Sequence, residues 1–200
     1  FKGTKKIPIT IDLLKKIENI GGNTNAFTDY NETCYYIKVP YNKQFEACKI
    51  LLDMVFNSII PANEFEKERN VVIEEILKSK DDPEDYMYDI INSILFKNTS
   101  LEIPVAGSID SVKKISRNEM LNFIKEFYIA RNTTILIYGK IQHKTISFLK
   151  QISLPNGMRL IRDNIYNNFN KTVIKLKKDD LEQSVFSISF VVSGSGNKEK

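Results

Sequence analysis

The sequence has very few of the residues that metal and nucleophile centres use in groups. It contains one histidine, His143, and two cysteines, Cys34 and Cys48. One histidine cannot form a two-histidine zinc site. Two cysteines without a C-x-x-C spacing exclude a disulfide scaffold and a cysteine-based metal site. Any metal or nucleophile chemistry in which the chain takes part must therefore use residues from outside it.

The sequence also lacks long apolar runs and a strong excess of charge of one sign. No apolar run approaches the ~18 to 20 residues that a membrane-spanning helix needs. Charged residues make up 27% of the chain with a net charge of +4, and the densest basic cluster, 175–178, is followed at once by Asp179 and Asp180. No basic stripe with interleaved aromatic residues occurs. The sequence therefore predicts neither a membrane span nor nucleic-acid binding.

The composition is that of a folded protein. Apolar residues make up 42% of the 200 residues, enough for a core. This length allows one domain and part of another, and the irregular, Asn-rich stretch 154–170 suggests a linker. We expect a first domain at 1–165 and the beginning of a second at 166–200. The low cysteine count favours an intracellular protein, in the cytoplasm or an organellar matrix, although the compartment itself is unknown from sequence.

Hydrophobic periodicity predicts an α+β fold, with helices packed on an antiparallel-rich sheet. Thr10 is the expected N-cap of the first helix, and Gly21-Gly22 its C-terminal stop. The predicted helices are 10–20, 42–57, 62–80, 84–96, 109–114, 117–128 and 143–152. The predicted strands are 23–29, 33–39, 133–138, 171–178 and 184–192.

Two glutamates on the helix at 62–80 stand out by their placement. At about 100° per residue, Glu68 and Glu75 fall within about 20° of each other, inside the arc of apolar residues, whereas Glu74 falls on the other side. An inward carboxylate is costly unless it is paired or binds a cation. From geometry alone, both remain open: a pair of edge carboxylates that reach water or a basic partner, or a cation site.

Three motifs give the chain a resemblance to a known family, the pitrilysin/insulinase-type (M16) zinc metallopeptidases, which include mitochondrial processing peptidase. The motifs are Phe1-Lys2-Gly3-Thr4, Gly21-Gly22-x-x-Asn25-Ala26-Phe27-Thr28, and the run Glu68-Arg69-Asn70-Val71-Val72-Ile73-Glu74-Glu75. The resemblance is close over about residues 1–140 and looser over 170–196. It implies the first half of a two-half clamshell enzyme. It also implies that the family's H-x-x-E-H motif ends just before Phe1, so that the chain is an N-terminal fragment without it.

The resemblance assigns roles to residues of this sequence. Glu75 would be the third ligand of a catalytic Zn²⁺, and Glu68 would support the site from a second layer. The two histidine ligands and the general-base glutamate would lie upstream of the chain. An alternative register selects Glu74 as the ligand, but the helix geometry disfavours it.

The resemblance also predicts that the strand Asn25–Thr28 binds an extended peptide substrate by backbone pairing. Ala26 would offer its backbone groups, Phe27 would line an apolar subsite, and Asn25 would lie near the metal-bound water. The sequence leaves open whether Phe27 points into this subsite or into the core.

Two functions follow from the resemblance. The first is a zinc-dependent metalloendopeptidase that cleaves extended peptides or presequences. It would act together with its own C-terminal half or a related partner subunit, and the fragment alone would be inactive. The alternative is a non-catalytic scaffold or regulatory subunit of the same family. The presence of Glu68 and Glu75 favours the enzyme, since a scaffold has no use for inward carboxylates. A plain α+β binding module outside the family is a third possibility, which predicts no zinc binding.

Overall fold

The computed structural model describes residues 3–158, 172–177 and 184–190. Contacts divide the chain into two compact units, 1–71 with 110–162 and 72–109 with 163–200. The expected domain boundary at 165/166 lies outside the described residues. The helices are α1 (Thr10–Asn19), α2 (Gln44–Phe56), α3 (Ala62–Asp81), α4 (Pro83–Leu95), α5 (Ile109–Lys114), α6 (Arg117–Phe127) and α7 (His143–Gln151).

A two-stranded antiparallel ribbon follows the first helix. It consists of β1 (Asn23–Thr28) and β2 (Thr33–Lys38), within a residue of the predicted strands. The other segments predicted as strands, 133–138 and the described parts of 171–178 and 184–192, form no ladder within the described residues. The α+β class is confirmed by these helices and this small antiparallel sheet.

The junction between α1 and β1 is set by a glycine stop. The Gly21 N–H donates to the Glu18 carbonyl and the Gly22 N–H to the Ile17 carbonyl, the hydrogen-bond pattern of a Schellman motif. Gly21 has φ of 69°, which favours glycine. At the other end of α1, Ile9 occupies the N-cap position and Thr10 is already helical, so the prediction of Thr10 as N-cap was wrong by one residue.

The core of the first unit lies between α1, α2 and one face of the ribbon. Ile37 of β2 packs against this core. Its buried residues are Leu13, Ile17, Ile20, Ala47, Ile50 and Met54. Because side chains alternate along a strand, the β2 residues two positions from Ile37 share its core-facing side, and their neighbours point the other way. This alternation fixes which face of the ribbon each candidate site residue occupies.

Local capping explains where the later helices begin. The Asp82 carboxylate accepts hydrogen bonds from the backbone N–H groups of Glu84 and Asp85, with Pro83 at the first helical position of α4. Ser116 and Glu119 form a reciprocal capping box at the start of α6. The Ser116 hydrogen bonds lower the pKa of the Glu119 carboxyl. The break between α3 and α4 matches the gap between the predicted helices 62–80 and 84–96.

Candidate functional site

The register of the ribbon decides which way Phe27 points. Ala26 lies opposite Tyr35, and Phe27 lies opposite Cys34. Tyr35 is two residues from the core-packed Ile37 and so shares its face, which places Ala26 on the core side and Phe27 on the outer side. Phe27 is 49% exposed. The question that the sequence left open is thereby answered: Phe27 does not enter the core.

The strand β1 presents a free backbone edge within the described part of the chain. Its only ladder partner there is β2. Asn25, Ala26, Phe27 and Thr28 are all exposed. The Ala26 N–H donates to the Asn25 side-chain oxygen at 2.8 Å, an exposed hydrogen bond. An unpaired strand edge can accept another extended chain. The Ala26 N–H can then donate to a peptide carbonyl in place of the Asn25 side-chain oxygen.

The start of α3 is fixed to the first residues described in the chain. The Thr4 backbone forms an antiparallel bridge with Ser58, and the Ile59 N–H donates to the Gly3 carbonyl at 3.1 Å. Thr4 is fully buried, and a side chain on Gly3 would lie 2.6 Å from the Pro8 carbonyl oxygen. The Gly3-Thr4 part of the first motif therefore has a packing role just before α3.

The carboxylates of α3 differ in burial. Glu68 is half-buried and belongs to the first unit, whereas Glu74 and Glu75 are both exposed and belong to the second. Phe65 and Ile76 are the buried residues of the same helix. The expectation of an inward carboxylate is thus met by Glu68 and not by Glu75. Burial alone does not separate Glu75 from Glu74; they differ only by about 100° around the helix.

The donor chemistry of the described residues fits one ligand of a zinc site and not a complete site. No group of three or more His, Cys, Asp or Glu side chains close enough to hold a metal ion occurs in the described ranges. The carboxylate of Glu75 is exposed and is of the oxygen-donor type that catalytic zinc accepts alongside histidines. His143 is exposed at the start of α7, and its Nδ1 lies 3.5 Å from the Ser147 hydroxyl.

Two arginine contacts in the first unit were not foreseen. The Arg69 guanidinium, next to Glu68, donates to the carbonyls of Lys113 and Ile115 and lies 4.9 Å from the centre of the Phe65 ring. These contacts join α3 to the last turn of α5 and to the residue that follows it. No sequence signal reveals them, because the acceptors are backbone groups more than forty residues away.

A second arginine, Arg117, binds the backbone just before α3. Arg117, the first residue of α6, donates from Nε to the Ile60 carbonyl and from Nη2 to the Ile59 carbonyl at 2.8 Å. Ile60 has φ of 41°, in the left-handed region that few side chains adopt. The two hydrogen bonds hold this strained turn just before α3.

A pair of tyrosines joins the ribbon to the end of α6. The hydroxyls of Tyr35 and Tyr128 lie 2.8 Å apart. Burial raises the pKa of both phenols, and the hydrogen bond to Tyr128 raises that of Tyr35 further.

Comparison with known proteins decides the family. The model of the insulinase family, peptidase family M16, matches residues 1–108, which is more than half of the chain. The chain belongs to this family. The M16 chain is 32% identical over 152 residues to the uncharacterized zinc protease YmxG of Bacillus subtilis, covering 76% of the chain and 36% of that protein. The resemblance first read from the motifs is confirmed.

Two processing peptidases are also similar to the M16 chain. It is 28% identical over 196 residues to the probable mitochondrial-processing peptidase subunit beta of Arabidopsis thaliana, covering 95% of the chain and 37% of that protein. It is also 31% identical over 158 residues to the human mitochondrial-processing peptidase subunit beta, and this match covers 79% of the chain and 32% of that protein. The chain thus spans about a third of the length of these relatives.

Solved structures support the fold. A protease from Helicobacter pylori superposes with a TM-score of 0.73 at 22% identity, covering 83% of the M16 chain and 41% of that structure. A peptidase M16 inactive domain from Pseudomonas fluorescens superposes with a TM-score of 0.60 at 15% identity, covering 66% of the M16 chain and 32% of that structure. At these identities the likeness concerns the fold alone. Within the described residues, no helix is both long enough and apolar enough to cross a membrane.

Proposed function

We propose that the protein is a zinc-dependent metalloendopeptidase that cleaves extended peptides or presequences. The observation that carries the proposal is the free edge of β1, where exposed backbone and Phe27 on the outer face offer an extended peptide both a ladder partner and an apolar contact. The family membership, and relatives named as zinc proteases, support a peptidase that uses zinc.

The residues of the chain have distinct tasks in this proposal. Glu75 is the third metal ligand, and two histidines and the general-base glutamate come from an H-x-x-E-H motif upstream of Phe1. When bound, zinc supplies a water with a lowered pKa and polarises the scissile carbonyl. Glu68 supports the site without touching the metal.

Substrate binding relies on β1. A peptide that adds to the free edge exchanges hydrogen bonds with backbone groups around Ala26, and main-chain pairing of this kind tolerates many sequences. Asn25 releases the Ala26 N–H to the peptide and can then hydrogen-bond near the reacting carbonyl. Phe27 contacts apolar side chains of the peptide, which adds selectivity. Thr28 continues the edge toward the turn.

The partner and the location are proposed from the relatives. Two of them are named as beta subunits of a processing peptidase, which supports assembly with a related subunit or with the protein's own C-terminal half. Their mitochondrial names support an intracellular site, the cytoplasm or an organellar matrix. Secretion of the tagged full-length protein would contradict this placement.

The test is zinc-dependent cleavage by the full-length protein that contains this chain. It should cleave an extended fluorogenic peptide, lose activity with a chelator, and regain it with zinc. The 200-residue chain alone should be inert, since it supplies one ligand of three. A full-length protein that binds no zinc and cleaves nothing, with or without its partner, would support the alternative, a non-catalytic scaffold or regulatory subunit. The inactive-domain neighbour shares the fold and favours neither outcome.

A further inference from the structure

The contact between Tyr35 and Tyr128 links two segments that are 93 residues apart in the chain. Their hydroxyls are 2.8 Å apart and their ring centres 6.3 Å apart. Both side chains are half-buried. Nothing in the proposed chemistry uses either hydroxyl, so the pair needs a separate explanation.

The ribbon is attached to the first unit through its core-facing side. Ile37 packs on the core, and Tyr35 is the next side chain on the same face toward the turn. One step further, Thr33 is exposed, and its hydroxyl lies 3.4 Å from the Thr28 hydroxyl. A two-stranded ribbon is marginally stable without packing on a face. Tyr35 is therefore an anchor of the ribbon, and it lies directly opposite Ala26.

Tyr128 is held on a firmly bonded turn. Its N–H closes the last turn of α6 on the Ile124 carbonyl. The next residue, Ile129, is 1% exposed, and its carbonyl accepts from the Thr133 hydroxyl at 2.8 Å. The following N–H, of Ala130, donates to the Pro155 carbonyl at 2.7 Å. The Tyr128 ring thus offers Tyr35 a fixed partner.

The other end of α6 is attached to the helix of the candidate carboxylates. Arg117, at the start of α6, binds the carbonyls just before α3. Arg69, beside Glu68, binds the carbonyl of Ile115, two residues before α6 begins. With eleven residues, α6 is about 16 Å long and rigid on that scale. It spans the first unit from the Glu68 end of α3 to the ribbon.

We propose that Tyr35 and Tyr128 are positioning residues: their hydroxyl contact fastens the ribbon to α6 and so holds the Asn25–Thr28 edge at a set distance from the start of α3. This inference rests on the proposed function for its consequence, which is peptide binding. Neither hydroxyl contacts substrate. The loss of either one loosens the edge and leaves the groups that react with the peptide unchanged.

The test uses Tyr35→Phe, Tyr128→Phe and the double variant in the full-length protein. Each single change removes the same hydrogen bond, so each should raise KM for an extended peptide roughly three- to tenfold with little change in kcat. The effect on KM in the double variant should be smaller than the sum of the two single effects, because both single changes break the same hydrogen bond. Tyr41→Phe is the matched control, since the Tyr41 ring is exposed and its hydroxyl has no partner among the described residues.

Amide hydrogen exchange gives a readout that needs no activity. In both single variants, exchange should accelerate at the amides that bond across the ladder between β1 and β2, and stay unchanged in α1 and α2, which form the core. Unchanged KM together with unchanged exchange in β1 would overturn the inference, as would additive losses in kcat. If the wild-type protein cleaves no peptide, the proposed function fails, and the exchange result alone then decides whether the tyrosine pair holds the edge.

Discussion

Phe27 lies opposite Cys34 across the ribbon, on the face that points away from the core. Its neighbour along the strand, Ala26, lies opposite Tyr35 on the core side. A peptide that pairs with β1 would therefore place every second side chain on the same face as the Phe27 ring, and the one nearest to it would contact the ring.

Phe27→Ala should raise KM for extended peptides with an apolar residue at the contacting position. Loss of about 1.4 kcal/mol of apolar contact corresponds to a roughly tenfold change. The melting temperature should hardly change, because the ring is half-exposed and outside the core. Ile11→Ala, which removes a similarly exposed apolar side chain from α1, should leave KM unchanged. A large loss of stability in Phe27→Ala would mean that the ring is a packing residue.

Arg117→Ala should destabilise the protein by about 2 kcal/mol, because two carbonyls beside the strained turn at Ile60 lose a charged donor. Denaturant unfolding measures this change. Arg131→Ala is the control, because Arg131 is exposed, and this variant should stay within about 0.5 kcal/mol of wild type. If the two substitutions lower the free energy of unfolding equally, Arg117 acts only through its charge and its two hydrogen bonds contribute nothing.

Gly22→Ala should weaken the junction between α1 and β1. A Cβ at this position would lie 2.8 Å from the Ile17 carbonyl oxygen and 2.9 Å from the Ile17 Cγ2 atom. Overpacking of this kind costs about 1 to 3 kcal/mol. Asn23→Ala, one residue further on and exposed, should be nearly neutral in thermal unfolding. A Gly22→Ala variant as stable as wild type would mean that the glycine stop can shift without cost.

Alkaline unfolding should reveal the buried tyrosine pair. Their pKa values are raised above 10.0 in the folded protein. Above pH 10 the unfolded chain therefore releases protons that the folded chain keeps, and stability falls as the pH rises. Each such tyrosine contributes a slope of about 1.4 kcal/mol per pH unit, while stability below pH 10 is unaffected. Tyr35→Phe should reduce this slope. Tyr138→Phe is the control and should leave the slope unchanged, because the Tyr138 side chain is 98% exposed.

Helices and the ribbon could be read from the sequence because their signals are local. Apolar periodicity and Gly21-Gly22 predicted helix ends within one or two residues of those observed. Thr10 was placed one position early because nothing local distinguishes an N-cap threonine from one at the first helical position. The segment 133–138 reads as a strand, but a strand also needs a neighbour, and none pairs with it in the described ranges.

The site could be predicted only in part. The strand Asn25–Thr28 and the helix with Glu68 and Glu75 came from motifs, and their residue roles remain predictions. The ladder register was needed to turn Phe27 outward. The arginine contacts and the tyrosine pair were out of reach, since they join groups 44 to 93 residues apart through side chains that have no recognisable spacing.

The most direct test of the account is the zinc content of the full-length protein with Glu75→Gln and, as the matched control, Glu74→Gln. The two glutamates are adjacent, equally charged and both exposed, so a difference between them reports the ligand itself. Metal analysis after dialysis should find one zinc per chain in wild type and Glu74→Gln, and none in Glu75→Gln. Zinc lost from Glu74→Gln but kept by Glu75→Gln would contradict the assignment of the third ligand, and a wild-type protein without zinc would contradict the proposed enzyme.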